Sequence, residues 1–147
     1  MIEVKHLYKS FDGNEVLKDI SIRFEKGQTN LIIGRSGSGK TVLIKSILGL
    51  FDVDRGEIWY DDRNFLTISH KERKRMRQEI GMVFQGGALF DSSSVEGNVR
   101  FPLDMFTRMS SKEKQERVEF CLEHVNIEKQ AFKLYPSEIS GGMQKRV

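Results

Sequence analysis

The chain has 147 residues, 38% of them hydrophobic and 31% charged, a balance that fits one domain or one large lobe and argues against disorder. The 24 basic and 21 acidic residues give a net charge of +3, too small to indicate a nucleic-acid partner by itself. A single cysteine excludes an internal disulfide and favours a reducing, intracellular setting. The sequence has no run of about 18 apolar residues, the length that would predict a membrane span.

The N-terminal third predicts a layer of antiparallel strands followed by a buried strand. Apolar and polar residues alternate over residues 2–8 and 20–25, and the turn residues 12–14 lie between them. Residues 31–33 are apolar throughout, a pattern typical of a parallel strand that is buried on both faces. We therefore expect this third segment to be central in a parallel sheet.

A glycine-rich loop follows this segment directly. Its sequence is Gly34-Arg35-Ser36-Gly37-Ser38-Gly39-Lys40-Thr41. In the pattern G-x-x-x-x-G-K-[ST], glycines let backbone N–H groups converge on phosphates, and the positive end of the following helix faces the same anion. Lys40 is expected to reach the β- and γ-phosphates, and the Thr41 hydroxyl to bind Mg²⁺. The loop predicts a nucleoside triphosphate site, although an ordinary glycine turn is the alternative, and kinases, GTPases and motor ATPases share the pattern.

The middle of the chain predicts further strands and one helix. The loop helix is expected to stop at Gly49, and residues 57–60 read as a strand. Ser69 and Glu72 have the capping-box spacing before a helix that runs to about Gln78. Residues 81–84 are apolar again and are expected to return to the parallel sheet, which Gln85 then ends.

The last third has a different character. Residues 86–102 are rich in Gly, Ser and Phe and read as a loop. Ser110 and Glu113 form a second capping-box pattern before an amphipathic helix. We therefore divide the chain into an α/β core with an N-terminal antiparallel layer, residues 1–85, and a helical subdomain, residues 86–147.

Three features join the phosphate loop in an order that resembles the ATPase subunit of ABC transporters. Phe11 lies 29 residues before Lys40, Gln85 lies 45 residues after it, and Ser140-Gly141-Gly142 begins 55 residues after Gln85. The resemblance covers the whole chain. Within the family, residues 85–90 and 140–143 look most like the MCE/Mla-type lipid-transport branch. The implied fold is a P-loop NTPase of the ABC ATPase type, with an antiparallel β layer, a parallel core sheet and a helical subdomain.

The resemblance implies a role for each of these residues, with ATP and Mg²⁺ as cofactors. Phe11 would stack on adenine, although core packing is the alternative for a lone aromatic and Tyr8 is the fallback. Gln85 would be the Q-loop glutamine, whose amide meets Mg²⁺ or the attacking water. Residues Ser140, Gly141 and Gly142 would open a helix and hold the γ-phosphate of ATP bound to a second subunit. Two positions depart mildly from the usual signature, where Ile139 replaces leucine and Met143 replaces glutamine.

The same resemblance implies the partners and location of the protein. A second ATPase subunit would complete a homodimer, and a transmembrane permease would hold that dimer at the cytoplasmic face of the cell membrane; no nucleic-acid partner is expected. Phe90 and Phe101 follow Gln85 and could line the groove that receives the permease. The basic residues Lys71, Arg73, Lys74, Arg75 and Arg77 are expected to form a solvated helix face, with anionic lipid or nucleic acid as the alternative.

The catalytic part of the family pattern has no match in the sequence. Residues 1–147 contain no counterpart of the Walker B aspartate, the catalytic glutamate, the D-loop or the switch histidine. We therefore expect an N-terminal part of an ABC ATPase that is inactive by itself, while the complete protein hydrolyses ATP to power transport. Two alternatives stay open: a nucleotide-binding fragment without hydrolysis, and a non-transport ABC ATPase that acts on DNA or the ribosome.

Overall fold

The computed structural model describes residues 1–84 and 87–147. These residues form two compact units, Met1–Gly81 and Met82–Val147. Within the described ranges, no helix has both the length and the apolar character needed to cross a membrane.

The first unit contains a four-stranded antiparallel sheet. Its strands, in the spatial order β2-β1-β3-β4, are β1 (Ile2–Phe11), β2 (Asn14–Phe24), β3 (Arg55–Tyr60) and β4 (Arg63–Asn64). Asp12 and Gly13 both have positive φ, 48° and 80°, the geometry of a two-residue hairpin turn that matches the twist of the strands. The predicted N-terminal layer, its turn and the strand at residues 57–60 are confirmed.

Two helices of the first unit contribute side chains to the same core as this sheet. Helix α1 (Lys40–Ile47) is followed by Gly49 at φ 65°, which confirms the predicted stop. Helix α2 (His70–Gln78) begins with the predicted capping box, because the Ser69 hydroxyl accepts from the Glu72 N–H and the Glu72 carboxylate accepts from the Ser69 N–H. The buried core side chains are Val4, Leu7, Leu17, Leu43, Ile47, Ile58, Tyr60, Phe65 and Met76.

The two predicted parallel strands are not formed in the described chain. Residues 31–33 and 81–84 lie outside any helix or strand. Leu31 and Ile33 are 78% and 83% exposed, so neither side chain is buried as the apolar run predicted. A strand buried on both faces needs a hydrogen-bonded neighbour on each side. The sheet described in the first unit is wholly antiparallel and includes neither segment, so this part of the expected sheet is corrected.

The second unit is helical. Its α-helices are α3 (Val95–Phe106), α4 (Ser111–His124) and α5 (Gly141–Gln144). Helix α4 begins with the predicted capping box between Ser110 and Glu113. Helix α3 corrects the expectation of a loop over residues 86–102, since the Ser94 hydroxyl caps it by accepting from the Gly97 N–H at 3.2 Å. The core of the second unit consists of Val95, Val118, Leu122, Ile127, Ala131, Phe132 and Ile139.

Candidate phosphate-binding site

The glycine-rich loop wraps around the N-terminus of α1. Gly37 and Gly39 have φ values of 77° and 90°, a backbone region that side chains with a Cβ rarely adopt. Gly39 is the N-cap residue of α1, and the helix start has no side-chain cap. A Cβ on Gly39 would lie 3.1 Å from Leu17 Cδ2 and 3.2 Å from the Val16 carbonyl oxygen. The loop therefore needs glycine here both for its conformation and for its close approach to β2.

The start of α1 offers backbone N–H groups to an anion. The first amide that donates within the helix is that of Leu43, which bonds to the Gly39 carbonyl oxygen at 2.8 Å. The amides of Lys40, Thr41 and Val42 precede it, in the turn where a helix leaves its N–H groups without intrahelical acceptors. These donors and the positive end of the helix dipole favour an anion at this place.

The Lys40 side chain folds back across the loop. Its ammonium group donates to the carbonyl oxygens of Gly34 at 2.8 Å and Arg35 at 2.7 Å. These carbonyls take two of the three donors of the ammonium, which is therefore held over the loop with a further donor for a phosphate oxygen. The Ser38 N–H donates to the Arg35 carbonyl oxygen at 3.2 Å and closes the turn beneath it.

The loop residues fit a triphosphate with its magnesium ion. The cradle has glycine at position 39, where a Cβ would crowd β2, and Lys40 supplies the positive charge. Thr41 is exposed in the first turn of α1, where its hydroxyl offers the hard oxygen donor that Mg²⁺ prefers. Ser36 is exposed in the same loop. Gln85, the other predicted Mg²⁺ ligand, lies outside the described residues.

Phe11 stands at the end of β1, on the hairpin whose second strand approaches this loop. It pairs with Asn14 across the hairpin, after a register shift that follows the pairing of Lys9 with Leu17. Leu17 in turn approaches Gly39. Phe11 is 37% exposed and makes an edge-to-face contact with Phe51, with ring centroids 5.3 Å apart. It lies at the surface and is not part of the buried core that was its alternative interpretation.

An aspartate fixes the chain next to Phe11. The Asp54 carboxylate accepts from the Ser10 N–H at 2.6 Å and from the Lys9 ammonium at 3.3 Å. The Ser10 N–H and, to a smaller extent, the Lys9 ammonium hold the pKa of the Asp54 carboxyl below its usual value. Tyr8, the fallback for adenine stacking, is instead covered by the Arg55 guanidinium, 4.2 Å from its ring centroid.

The three predicted signature residues lie in the second unit. Ser140 is the N-cap of α5, and its hydroxyl accepts from the Met143 N–H at 3.2 Å. Gly141 has no heavy atom within 4 Å of an added Cβ, and the nearest atom to one on Gly142 is the Ser140 Oγ at 3.9 Å. All three residues are exposed. The buried side chain of Ile139 anchors this exposed segment in the core of the unit.

Sequence reasoning missed the residues that support the loop from behind. Val16 and Leu17 lie more than 20 positions before Gly39, and nothing in their local pattern distinguishes them from other strand residues. Asp54 reads as an ordinary turn residue before β3, and its contact with Ser10 spans 44 positions. Only the folded chain brings these groups to the loop and to Phe11.

Comparison with known proteins finds a family whose model matches most of the chain. The model of the family described as "ABC transporter" matches residues 17–147. The "Probable ribonucleotide transport ATP-binding protein mkl" of Mycobacterium leprae is 38% identical over 145 residues, which cover 99% of this chain and 42% of that protein. The "Methionine import ATP-binding protein MetN" of Clostridium tetani is 37% identical over 147 residues, which cover 100% of this chain and 46% of that protein.

Solved structures agree with these relatives. A dimeric structure of MJ0796, described as a bacterial ABC transporter cassette, is 30% identical and has a TM-score of 0.89. A dimeric post-hydrolysis state of the same ATP-binding cassette, bound to ADP and Pi, is 29% identical with the same TM-score. Each alignment covers 99% of this chain and 66% of the solved chain. The chain thus spans under half the length of these two curated relatives and about two thirds of the solved cassettes.

Proposed function

Because the chain belongs to the ABC transporter family and has the fold of its ATPase cassettes, we propose that it is the ATP-binding part of a transporter's ATPase subunit. The observation that carries this proposal is the geometry at the start of α1. There the Lys40 ammonium is held over a glycine loop whose amides and helix dipole favour an anion. The activity, cargo and partners of the complete protein are part of the same proposal.

In this proposal the loop holds the phosphates of Mg·ATP. The amides of the loop and of the first turn of α1 bind phosphate oxygens, Lys40 binds the β- and γ-phosphates, and Thr41 is a ligand of Mg²⁺. Phe11 offers its partly exposed ring to the adenine base. The Gln85 amide contacts Mg²⁺ or the attacking water in this proposal, which is the role that the family resemblance implies. Bound Mg·ATP supplies the phosphoanhydride bond whose hydrolysis would power transport.

The signature segment is proposed to serve a second copy of the chain. Ser140, Gly141 and Gly142 are exposed, and the bare backbone of the two glycines admits close approach by a phosphate. The related cassette MJ0796 has been solved as a dimer. We propose that the signature of one subunit contacts the γ-phosphate of ATP that is held by the other subunit's loop.

Hydrolysis by residues 1–147 alone is not expected. Phosphoryl transfer to water needs a general base for the attacking water, besides the cradle and the metal. The family resemblance assigns that role to none of these residues, so we propose that this chain binds ATP and the complete subunit hydrolyses it. If the purified 147-residue chain hydrolyses ATP and the Lys40→Ala substitution abolishes that hydrolysis, this part of the proposal is wrong.

The binding step is tested by calorimetric titration with Mg·ATP. Lys40→Ala should weaken the affinity about 30-fold or more, because it removes charge-assisted contacts to the phosphates. Lys71→Ala is the matched control, since Lys71 is an exposed lysine in the first turn of another helix and should leave the affinity unchanged. Equal binding by wild type and Lys40→Ala would refute the loop assignment.

A permease is proposed to dock on an aromatic pair of the second unit. The rings of Phe90 and Phe101 lie 4.8 Å apart, and the two residues are 49% and 43% exposed. Exposed aromatic side chains are typical anchors of protein interfaces. Aspartate at both positions should abolish copurification of the complete ATPase with its permease, while intact assembly would contradict this surface. The permease would place the ATPase at the cytoplasmic face of the membrane, and no nucleic-acid partner is proposed.

The cargo is proposed to be a lipid, on the resemblance of residues 85–90 and 140–143 to the MCE/Mla-type branch. The relatives favour a second class, since their names describe ribonucleotide transport and methionine import. Reconstitution of the assembled transporter in liposomes separates the two classes by which cargo stimulates ATP turnover. Stimulation by phospholipid would support the lipid branch, and stimulation by methionine or a ribonucleotide alone would overturn it.

A further inference from the structure

The end of α1 opposite the phosphate loop is held by side chains from two other elements. The Tyr60 hydroxyl of β3 donates to the Ile47 carbonyl oxygen at 2.8 Å. The guanidinium of Arg77 on α2 donates through Nε to the Leu48 carbonyl oxygen at 3.2 Å, and through Nη2 to that of Gly49 at 2.9 Å. Three successive carbonyls at the C-terminus of the helix are thus bound by donors from outside it.

A buried aromatic ring sets the position of this contact. Phe65 is fully buried, and its Cε1 atom would lie 2.4 Å from a Cβ on Gly49. The Arg77 Nη2 would lie 3.0 Å from the same Cβ, and its guanidinium carbon is 5.8 Å from the centre of the Phe65 ring. Only a glycine therefore allows the backbone after α1 to approach both Phe65 and Arg77 this closely.

Arg77 suits this place in charge and shape. The carbonyls at a helix C-terminus carry partial negative charge, which a guanidinium offsets. Its planar fork binds two neighbouring oxygens at once, which an ammonium cannot do with the same geometry. Arg77 is half-buried and engaged in this way, while Lys71, Lys74 and Arg75 of the same helix are exposed. The solvated basic face that the sequence predicted for α2 therefore does not include Arg77.

The length of α1 makes its far end relevant to the phosphate loop. The helix has eight residues, so it is only about 12 Å long. The loop at its N-terminus contains Gly37 and Gly39, which leave the backbone conformationally permissive. Groups that fix the C-terminal end of so short a helix also fix the direction in which its first turn presents Lys40 and Thr41.

We propose that Arg77 is a positioning residue for the phosphate site, acting through α1 by holding the Leu48 and Gly49 carbonyls. This inference rests on the proposed binding of nucleotide at the loop. It connects the phosphate site to α2, which ends at Gln78, just before the chain enters the second unit at Met82. Arg77 touches no nucleotide in this scheme, and its effect on affinity is transmitted by the orientation of the helix.

The test compares substitutions that separate positioning from stability. Arg77→Gln removes the charged fork, and Arg77→Lys keeps the charge without the fork. Arg75→Gln makes the same change on an exposed neighbour in α2. Ile58→Val trims a fully buried side chain of the same core and provides a small loss of stability without touching α1's carbonyls.

The first readout is the affinity for Mg·ATP, measured at a temperature where all variants are folded. Arg77→Gln should bind about five-fold more weakly than wild type, and Arg77→Lys should be intermediate. The Arg75→Gln and Ile58→Val variants should stay within about two-fold of wild type. If wild type binds and Arg77→Gln binds equally well, the positioning role is wrong and the proposed function stands.

The second readout needs no nucleotide. Amide hydrogen exchange of α1 reports how firmly the helix is held. The α1 amides of Arg77→Gln should exchange faster than those of Ile58→Val at matched global stability. Equal exchange in the two variants would overturn the positioning role. Failure of wild type to bind Mg·ATP would instead refute the proposed function, and the exchange comparison would still decide whether Arg77 holds α1.

Discussion

Alanine substitutions at Gly39 and Gly37 measure how closely β2 supports the phosphate loop. Both glycines have positive φ, 90° and 77°, so alanine at either position carries the cost of a left-handed backbone. They differ in their surroundings. A Cβ at position 39 would lie 3.1 to 3.3 Å from atoms of Leu17 and Val16, whereas a Cβ at position 37 has no heavy atom within 4 Å. The pair therefore separates backbone strain from crowding.

The expected magnitudes follow from these two terms. The left-handed conformation costs a residue with a Cβ about 1 kcal/mol or somewhat more, which is the loss of stability expected for Gly37→Ala. Gly39→Ala adds the displacement of a carbonyl of β2, which cannot rotate away as a side chain can. Overpacking of this kind costs about 1–3 kcal/mol more. Gly39→Ala should therefore be the more destabilising substitution by at least about 1 kcal/mol.

Urea unfolding of both variants measures the difference directly, with the midpoint and slope compared to wild type. The Mg·ATP affinity of Gly39→Ala should fall as well, since its Cβ would push the loop away from β2. If the two variants unfold with the same free energy within about 0.3 kcal/mol, β2 does not support the loop as the structure indicates.

Two further predictions concern Phe11 and Tyr60. Phe11→Ala should weaken Mg·ATP binding about five-fold or more, since base stacking on an aromatic is worth about 1–3 kcal/mol, but should leave the binding of tripolyphosphate unchanged; equal losses for both ligands would contradict adenine stacking. Burial raises the pKa of the Tyr60 phenol from 10.0 to about 12, so the folded chain keeps this proton where the unfolded chain loses it. The free energy of unfolding therefore keeps its full value below pH 10 and falls by about 2 kcal/mol as the pH rises toward 12. Tyr60→Phe should be less stable than wild type by about 1 kcal/mol at pH 8, and urea unfolding should show this gap closing and then reversing between pH 10 and 12; a constant gap would contradict the buried phenol.

Local signals in the sequence were sufficient for the features that depend on a few neighbouring residues. The Asp12-Gly13 turn, the stop at Gly49 and the caps at Ser69 and Ser110 all form where their patterns lie. Each depends on backbone geometry or on a hydrogen bond within about four residues, which short spacing encodes. The glycine loop at the start of α1 belongs to the same class.

Features that depend on distant residues could not be predicted in this way. The apolar pattern at residues 31–33 indicates a buried strand only when neighbouring strands are present, and the sheet described in the first unit does not pair with it. Helix α3 was not predicted because Gly97 and Pro102 are poor helix formers, although Ser94 caps the helix. Arg77 read as one of several solvated cations because its carbonyl partners lie 28 and 29 positions away.

The central claim is that the loop from Gly34 to Thr41 binds the phosphates of Mg·ATP. Backbone amide chemical shifts of the labelled chain, followed during titration with Mg·ATP, test it residue by residue. The largest changes should occur at the amides of residues 37–42, and inorganic triphosphate should reproduce them. Lys40→Ala should remove them at the same ligand concentration. Saturable binding with unchanged shifts at residues 37–42 would contradict the claim.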